Sequence, residues 1–298
     1  MRVPKFQDKS QVTVGMTFTS DTAKTSDRFD QLRRYMDRHV FGERGFVCRY
    51  AEQCSRSALH DRWGRPRDDR SFTPGQLSHI GRHYDLAEGG RSLRTLVIAM
   101  ETGGSDGKIS LEKRRGQLEA SAAKPYSARN PHMRGTVSAL RIVAGHKPGS
   151  DPAGEWLQIG NEQVHVFDAY AMANVRLCSA TVKGTTESRA TRTMTENCLG
   201  HLVETVRVLE PRLCIVQGIP VAAALGNVST ELERFSPNLA RVRLGGDEVL
   251  LATFSHPSAK RTEYHWGRLT TVPYLHEVVV PALRDARRLL LSGQPDRR

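Results

Sequence analysis

Three polar residues stand where apolar stretches of the sequence end, and their types could do chemistry. They are Glu101, Asn174 and His256. A carboxylate can position or deprotonate water, an amide both donates and accepts hydrogen bonds, and an imidazole can donate a proton or a hydrogen bond. In open α/β sheets, ligands bind beyond the carboxyl ends of the strands. We therefore expect these three side chains to contribute to one site.

Cysteine is the second residue type that could do chemistry. The chain has Cys48, Cys54, Cys178, Cys198 and Cys214, and this odd number argues against a disulfide framework. Cys214 lies in an apolar run and is predicted to be a buried strand residue. The other four form two distant pairs. Four thiolates could bind one [4Fe–4S] cluster or one zinc ion, but the Cys48-x5-Cys54 spacing is wide. Four unrelated thiols remain the alternative.

Short apolar runs alternate with helical patterns along the chain, and these elements must position the polar residues. Strands are predicted within 93–100, 164–177, 212–218 and 248–258. Helices are predicted at 26–41, 135–145, 196–211, 220–226 and 273–292. Strands that are apolar throughout are typical of a parallel sheet covered on both faces. The sequence therefore predicts an α/β protein, with a central, mostly parallel sheet in a three-layer α/β/α arrangement.

The domain organisation follows from composition. Residues 1–25 are polar and predicted to be an irregular N-terminal extension. Residues 26–298 are predicted to form a single domain with basic insertions near 55–92 and 105–130. The sequence has no internal repeat and no clear linker.

Four motifs occur in a fixed order and carry a family resemblance. They are METGG at 100–104, ANVRLC at 173–178, a helix containing Cys198 that leads into LEPRLCIVQGIPVAAAL at 209–225, and FSHPSA at 254–259. This order resembles the uracil-DNA glycosylase superfamily, most closely its iron–sulfur branches, often called families 4 and 5. The similarity extends over roughly residues 46–290. It implies a DNA glycosylase that flips a base out of DNA and hydrolyses its N-glycosidic bond.

The resemblance implies a role for each motif residue. Glu101 and His256 are the expected catalytic residues: the carboxylate positions or deprotonates the attacking water, and the imidazole donates to the pyrimidine O2 as negative charge develops. Asn174 is expected to read the Watson–Crick edge of the base. Its amide can present either face, so Asn174 alone does not decide between a uracil-like and a cytosine-like edge.

Further residues are expected around the base and the DNA backbone. Thr102 would line the base pocket, His132 would stack on the base, and Ser258 would touch a phosphate beside the flipped nucleotide. Lys260 and Arg261 would contact the DNA.

Structural roles are the alternatives. Glu101 could satisfy the amides of a helix N-terminus, Asn174 could cap a turn, and His256 could be a capped loop residue. A solvated surface is the alternative for Lys260 and Arg261.

The same resemblance implies a metal centre. Cys48, Cys54, Cys178 and Cys198 would hold a [4Fe–4S] cluster, with zinc as the alternative. The expected role is structural: the cluster joins two distant segments, and base excision needs no redox step. The sequence lacks GxGxxG and GxxxxGK[ST], so no nucleotide cofactor is expected.

Departures from the family pattern concern the substrate. Thr102 and Gly103 replace the Ala-Pro of the family, and small residues there could admit a base larger than uracil. The predicted substrate is uracil or a modified pyrimidine, for example a decorated cytosine of phage DNA in a defence role. No lysine is placed beside the three motif loops strongly enough to propose a Schiff base, which favours a monofunctional enzyme. The alternatives are a catalytically silent nucleic-acid-binding module and a non-DNA hydrolase on the same scaffold.

The overall charge agrees with a polyanionic partner. The 298 residues include 44 Lys and Arg against 32 Asp and Glu, a formal charge of +12. The positive charge is spread along the chain, which favours a folded basic face that binds DNA. The sequence has no apolar run long enough for a membrane span and no apolar segment typical of a secretory signal. We expect a cytoplasmic monomer with no membrane partner.

Overall fold

The computed structural model describes residues 17–102, 107–185 and 187–292. Most of the predicted N-terminal extension, together with Gly103 and Gly104, lies outside these residues. The helices are α1 (Thr22–His39), α2 (Ala51–Leu59), α3 (Leu111–Ala122), α4 (Pro131–Val143), α5 (Arg192–Leu209), α6 (Ile219–Leu225) and α7 (Val280–Ser292). A short π-helical turn, Leu275–Val279, leads into α7.

The strands form one large sheet and smaller ones. They are β1 (Phe18–Ser20), β2 (Phe41–Gly42), β3 (Gly45–Phe46), β4 (Arg70–Thr73), β5 (His79–Ile80), β6 (Leu86–Glu88), β7 (Arg91–Ser92), β8 (Thr95–Ala99), β9 (Trp156–Ile159), β10 (Glu162–His165), β11 (Ala171–Asn174), β12 (Ser179–Val182), β13 (Leu213–Gln217), β14 (Ser229–Ser236), β15 (Leu239–Leu244) and β16 (Asp247–Phe254). The predicted α/β class is therefore confirmed.

The large sheet has the order β14-β15-β16-β13-β8-β11-β5. Its four central strands, β16, β13, β8 and β11, are parallel to one another, whereas the outer strands pair antiparallel. The expectation of a mostly parallel sheet is correct for the centre and wrong for the edges. The reason is local: β15 and β16 are joined by a tight hairpin whose turn residues, Gly245 and Gly246, have φ of 66° and 99°.

Alternate residues of the central strands pack into two separate apolar clusters. Val97 and Ile215 belong to a cluster that includes residues of α4 and α7. Leu96 and Cys214 belong to another that includes residues of α1, α5 and α6. Because successive side chains of a strand point to opposite faces, the clusters lie on the two faces of the sheet. This explains why the central strands are apolar throughout, and it confirms the prediction for Cys214.

The prediction that residues 1–25 are irregular is wrong for their described part, and two other polar segments also contain regular elements. The described part of 1–25 contains β1 and the start of α1, where Asp21 caps the helix by accepting from the amide of Lys24. The insertion at 105–130 contains α3. The polar segment before α5 contains β12, which pairs with β4 to form a two-stranded ribbon. The strands β1 and β12 are short and α3 has little amphipathic pattern, so tertiary packing stabilises these elements where sequence periodicity is weak.

Among the described helices, none is both long and apolar enough to cross a bilayer.

Candidate active site

The carboxyl ends of the four parallel strands bring the three principal candidates to one edge of the sheet. His256 follows β16, Glu101 follows β8, and Asn174 ends β11, where it lies opposite Ala99 of β8. Strands β16 and β11 are three places apart in the sheet. Neighbouring strands lie about 4.8 Å apart, so His256 and Asn174 are anchored roughly 14 Å from each other. Glu101, which follows β8, is anchored beside Asn174 on the side that faces His256.

His256 is held in one tautomer. Its Nδ1 accepts a hydrogen bond from the backbone N–H of Ser258 at 3.2 Å and lies 2.8 Å from the Ser258 hydroxyl. Because a backbone N–H can only donate, Nδ1 is unprotonated in the neutral ring and Nε2 carries the hydrogen. Burial lowers the pKa of His256, so the ring is neutral at neutral pH. The Nε2–H is left to donate, since no described residue accepts from it.

The loop that carries His256 is fixed by the residues that follow it. The Ser255 hydroxyl donates to the carbonyl of Tyr264 at 2.6 Å, and the indole of Trp266 donates to the carbonyl of Ser255 at 2.8 Å. Trp266 is fully buried. The loop is therefore part of the core, and His256 is presented from a rigid support.

His132 lies against His256, and two glycines allow this. The two imidazole rings are stacked with centroids 5.4 Å apart and an angle of 21° between their planes. A Cβ on Gly267 would lie 1.9 Å from the carbonyl oxygen of Pro131, and a Cβ on Gly135 would lie 2.5 Å from Pro257. Only glycine permits this approach of α4 to the loop. Burial, His256 and Arg114 lower the pKa of His132 to about 3, so both rings are neutral.

The carboxylate of Glu101 is hydrogen-bonded through both of its oxygens. Its Oε2 accepts from Nε of Arg176 at 2.6 Å and also forms an ion pair with the Nη2 of that guanidinium. Its Oε1 accepts from the hydroxyl of Ser188. The carboxylate is 5% exposed. Both oxygens are thus engaged, which differs from a free base waiting for a water molecule.

Asn174 and Thr102 form a hydrogen-bonded group with Arg114 of α3. The Thr102 hydroxyl oxygen accepts from Nη2 of Arg114 at 2.6 Å and from Nδ2 of Asn174 at 3.3 Å. The Thr102 carbonyl accepts from the hydroxyl of Ser179 at 2.5 Å. Asn174 and Arg114 are both buried. Thr102 therefore anchors the amide of Asn174, and its hydroxyl is already engaged.

The remaining predicted residues lie on the same loop as His256. Ser258 uses its hydroxyl to contact the His256 ring, so it positions the imidazole, a contact that the phosphate prediction did not include. Lys260 and Arg261 are exposed, and no described acidic residue forms an ion pair with either. Their exposure fits a surface that contacts a polyanion and equally a solvated face.

Sequence reasoning missed Arg114, Arg176, Gln217 and Ile219. Arg176 lies two residues after Asn174, so its place in the ANVRLC motif was a signal for it. Gln217 ends β13, is fully buried, and donates to the Thr136 hydroxyl at 3.1 Å. Ile219 begins α6 beside it and is 66% exposed. No periodicity marks Arg114, because it lies in a segment whose basic residues resembled an insertion.

The four predicted ligand cysteines come from α2, α5 and the segments before α2 and β12. Nδ2 of Asn197, next to Cys198, lies 3.4 Å from the sulfur of Cys54. His201, one turn further along α5, has Nε2 3.8 Å from the sulfur of Cys48. Cys54 and Cys178 belong to one small apolar cluster. The fold therefore brings all four sulfurs to one region.

The four sulfurs have surroundings that resemble those of a thiolate centre in part. Backbone amides of Tyr50, Gly75 and Leu177 are directed at the sulfurs of Cys48, Cys178 and Cys198, as in many thiolate centres. Burial raises the pKa of all four thiols, that of Cys198 to about 12. Within the described ranges, no three His, Cys, Asp or Glu side chains are placed closely enough to hold a metal ion as they stand. Four cysteine sulfurs are suitable donors for a thiolate cluster. In the structure they lie further apart than binding to one metal centre requires.

A cavity of about 780 Å³ lies apart from the strand-end residues. Its lining includes Phe29, His79, Arg82, Trp156 and Phe167, and none of the predicted site residues. His79 pairs across from Met172, within β11 rather than at its carboxyl end. The chemistry-bearing residues of the motifs are therefore not in this cavity.

Comparison with known protein families found no matching family, and a search of curated proteins found no relative with significant similarity.

Proposed function

We propose that this protein is a monofunctional DNA glycosylase, with a uracil-DNA glycosylase-like three-layer fold, that flips a pyrimidine-type base and hydrolyses its N-glycosidic bond. The observation that carries the proposal is His256: a neutral imidazole with its Nε2–H available, fixed by Ser258 at the end of β16. Cleavage of the bond develops negative charge on the departing base. A preoriented donor in a partly buried site stabilises that charge at no reorganisation cost.

Asn174 would recognise the base on the other side. Asn174 is buried at the end of β11, and its Nδ2 donates to the hydroxyl of Thr102. This hydrogen bond fixes the orientation of the side-chain amide. A base whose edge cannot form hydrogen bonds with this buried amide would leave the amide unpaired. Such a base is therefore strongly disfavoured. Uracil and a modified pyrimidine, such as a decorated cytosine of phage DNA, both remain candidate substrates.

Glu101 would act through its negative charge and through a water molecule. Ser188, which occupies Oε1, is exposed, so replacement of its hydroxyl by water needs only a local movement. Arg176 on the other oxygen orients the carboxylate. In this arrangement Glu101 faces the cationic sugar and accepts a proton from the attacking water.

Cys48, Cys54, Cys178 and Cys198 would hold a [4Fe–4S] cluster, with zinc as the alternative. When bound, the group would join the α2 region to α5 and to the segment that follows Asn174. The support is the convergence of the sulfurs and the N–H groups directed at them. Visible absorbance of anaerobically purified protein would support iron and sulfide, and zinc found in their place would support the alternative.

A catalytically silent nucleic-acid-binding module is the second candidate. The ion pair between Glu101 and Arg176 favours it, because a carboxylate with both oxygens engaged serves structure. A silent module would bind DNA in a salt-dependent manner and release no base.

An assay for release of free base distinguishes a DNA glycosylase from a catalytically silent module. Oligonucleotide duplexes carrying uracil, 5-hydroxymethylcytosine or glucosylated 5-hydroxymethylcytosine would be incubated with the protein and then treated with alkali to cleave abasic sites. We expect cleavage at one of these bases, abolished in His256→Ala and retained in the control His276→Ala, whose ring is on the surface. DNA binding without cleavage of any substrate would establish the silent module.

A further inference from the structure

Seven arginines that follow one another along the chain between residues 44 and 70 form no ion pair with an acidic residue. Many other arginines of the described residues do, as Arg141 does with Asp151 and Arg287 with Glu88. Within the described residues, the following form no ion pair: Arg44, Arg49, Arg56, Arg62, Arg65, Arg67 and Arg70. The Nε atoms of Arg67 and Arg70 are buried and also lack a hydrogen-bond partner. Unpaired guanidinium groups at this density attract a polyanion.

The loop of residues 61–67, which we term the tryptophan loop, lies within this stretch and is rigidly built. Asp61 accepts at Oδ1 from the amides of Trp63 and Arg65, both at 2.9 Å. The amide of Asp61 donates to the carbonyl of Arg65 at 2.9 Å, and Arg67 donates to Leu59 at 2.8 Å. The carboxylate of Asp61 thus accepts hydrogen bonds from the loop backbone and does not pair with an arginine.

Trp63 is presented outward by this loop. It is 67% exposed, the highest value among the large hydrophobic residues in the described part of the chain. The guanidinium of Arg62 lies over the indole, 3.9 Å from its centroid, and that of Arg65 lies 5.9 Å away. An exposed, preoriented aromatic ring with cations beside it is the arrangement on which unpaired bases stack, while the cations hold the backbone phosphates.

The tryptophan loop is connected to the candidate active site by the β4–β12 ribbon. At one end of the ribbon Thr73 pairs with Ser179, whose hydroxyl bonds the carbonyl of Thr102 next to Glu101. At the other end Arg70, three residues earlier, leads back to the loop. Three residues of strand span about 10 Å. The ribbon therefore links the segment that carries the tryptophan loop to the backbone beside Glu101.

We propose that the tryptophan loop binds unpaired nucleotides of DNA, with Trp63 stacking on a base and Arg62 and Arg65 contacting phosphates. The inference rests on the proposed function only in its choice of DNA as the polyanion. It adds a preference: the protein binds single-stranded or locally opened DNA more tightly than an intact duplex.

Binding of labelled oligodeoxythymidine, measured by anisotropy, tests the stacking. We expect Trp63→Ala to weaken binding roughly 5- to 150-fold, the range for loss of one stacked base. Trp63→Phe, which keeps an aromatic ring, is expected to restore most of the affinity. Trp156→Ala is the matched control, because Trp156 is 41% exposed but lies against His165 in the separate cavity. Equal binding by wild type and Trp63→Ala would overturn the proposal.

Intrinsic fluorescence gives a second readout that needs no destabilising substitution. Oligodeoxythymidine should quench the emission of wild-type protein and of Trp156→Phe, but not that of Trp63→Phe. Quenching that persists in Trp63→Phe would overturn the proposal, as would a response of Trp63 to anionic lipid vesicles without a response to the oligonucleotide. If no substrate loses its base while Trp63-dependent binding persists, the proposed function fails and this inference stands.

Discussion

The two halves of the strand-end edge differ in how their functional groups are satisfied. On the β16 side, His256 is supported at Nδ1 and leaves Nε2–H available. On the β8 side, both carboxylate oxygens of Glu101 are engaged by Arg176 and Ser188. The imidazole is ready to act on a ligand, whereas the carboxylate contributes to the structure until a partner is displaced. Residues with equally clear motif positions can therefore be in different states in one fold.

Removing Arg176 should have the largest effect, because it would leave a carboxylate buried without its cation. Arg176→Met is expected to lower the free energy of unfolding by about 3–5 kcal/mol, the range for breaking a buried ion pair from one side. The measurement is chemical denaturation. Adding Glu101→Gln to Arg176→Met should recover part of the loss, because the unpaired charge is then gone.

The control for that prediction is an exposed pair. Arg192→Met breaks the ion pair between Arg192, whose side chain is 90% exposed, and Glu196. It should leave the free energy of unfolding almost unchanged, because solvent screens an exposed pair. A similar loss in both variants would mean that the pair at Glu101 is no more important than a surface contact.

Removing the imidazole of His256, the hydrogen-bond donor on the β16 side, should have the next largest effect. The effect is on activity rather than on stability. His256→Ala is expected to slow base release by about 10²–10³-fold, equivalent to ~2.7–4 kcal/mol of transition-state stabilisation. Single-turnover assays on the substrate identified above would measure it. A loss confined to DNA affinity, with an unchanged single-turnover rate, would contradict a role for the imidazole at the reacting base.

The stacked histidines make stability depend on pH. The pKa of His132 is lowered from 6.5 to about 3, chiefly by burial, so the folded protein binds fewer protons than the unfolded chain between these values. The contribution of neutral His132 to the free energy of unfolding is fully present above pH 6.5. It decreases as the pH falls below 6.5, by about 1.4 kcal/mol per pH unit. In His132→Phe, which keeps the ring contact, the slope of unfolding free energy against pH should decrease by that amount.

The comparison for the pH series is His276→Gln, a substitution on the surface. His79, whose pKa is also lowered to about 3 by burial, contributes to the wild-type slope in the same direction and remains in both variants. An unchanged slope in His132→Phe would show that His132 is solvated in the native state.

The smallest expected effect concerns the support of His256. Ser258→Ala removes the hydroxyl at Nδ1 but keeps the backbone N–H that selects the tautomer. The loss of one neutral hydrogen bond corresponds to about 0.5–1.5 kcal/mol, so base release should fall only ~2- to 12-fold. An effect as large as that of His256→Ala would instead indicate that Ser258 contacts the substrate.

Much of the local structure was predictable because it depends on neighbouring residues. The run that contains Leu96, Val97 and Ile98 was recognised as a buried strand, and Pro211 correctly marked the end of α5 at Leu209. The hairpin of β14 and β15 was missed. Residues 229–236 are mostly exposed and polar, and strand pairing there depends on the neighbour β15 rather than on an apolar pattern.

The sequence by itself determined which residues end the parallel strands, and hence that Glu101, Asn174 and His256 could share an edge. Only the tertiary structure decided the partners of those residues. Glu101 meets Arg176, 75 residues away, and His132 meets His256 because glycines at 135 and 267 allow α4 to approach the loop. Local periodicity reports burial and strand ends, whereas the charge state and availability of a side chain depend on contacts between distant segments. Those contacts are fixed by strand order and register, which no short stretch of sequence contains.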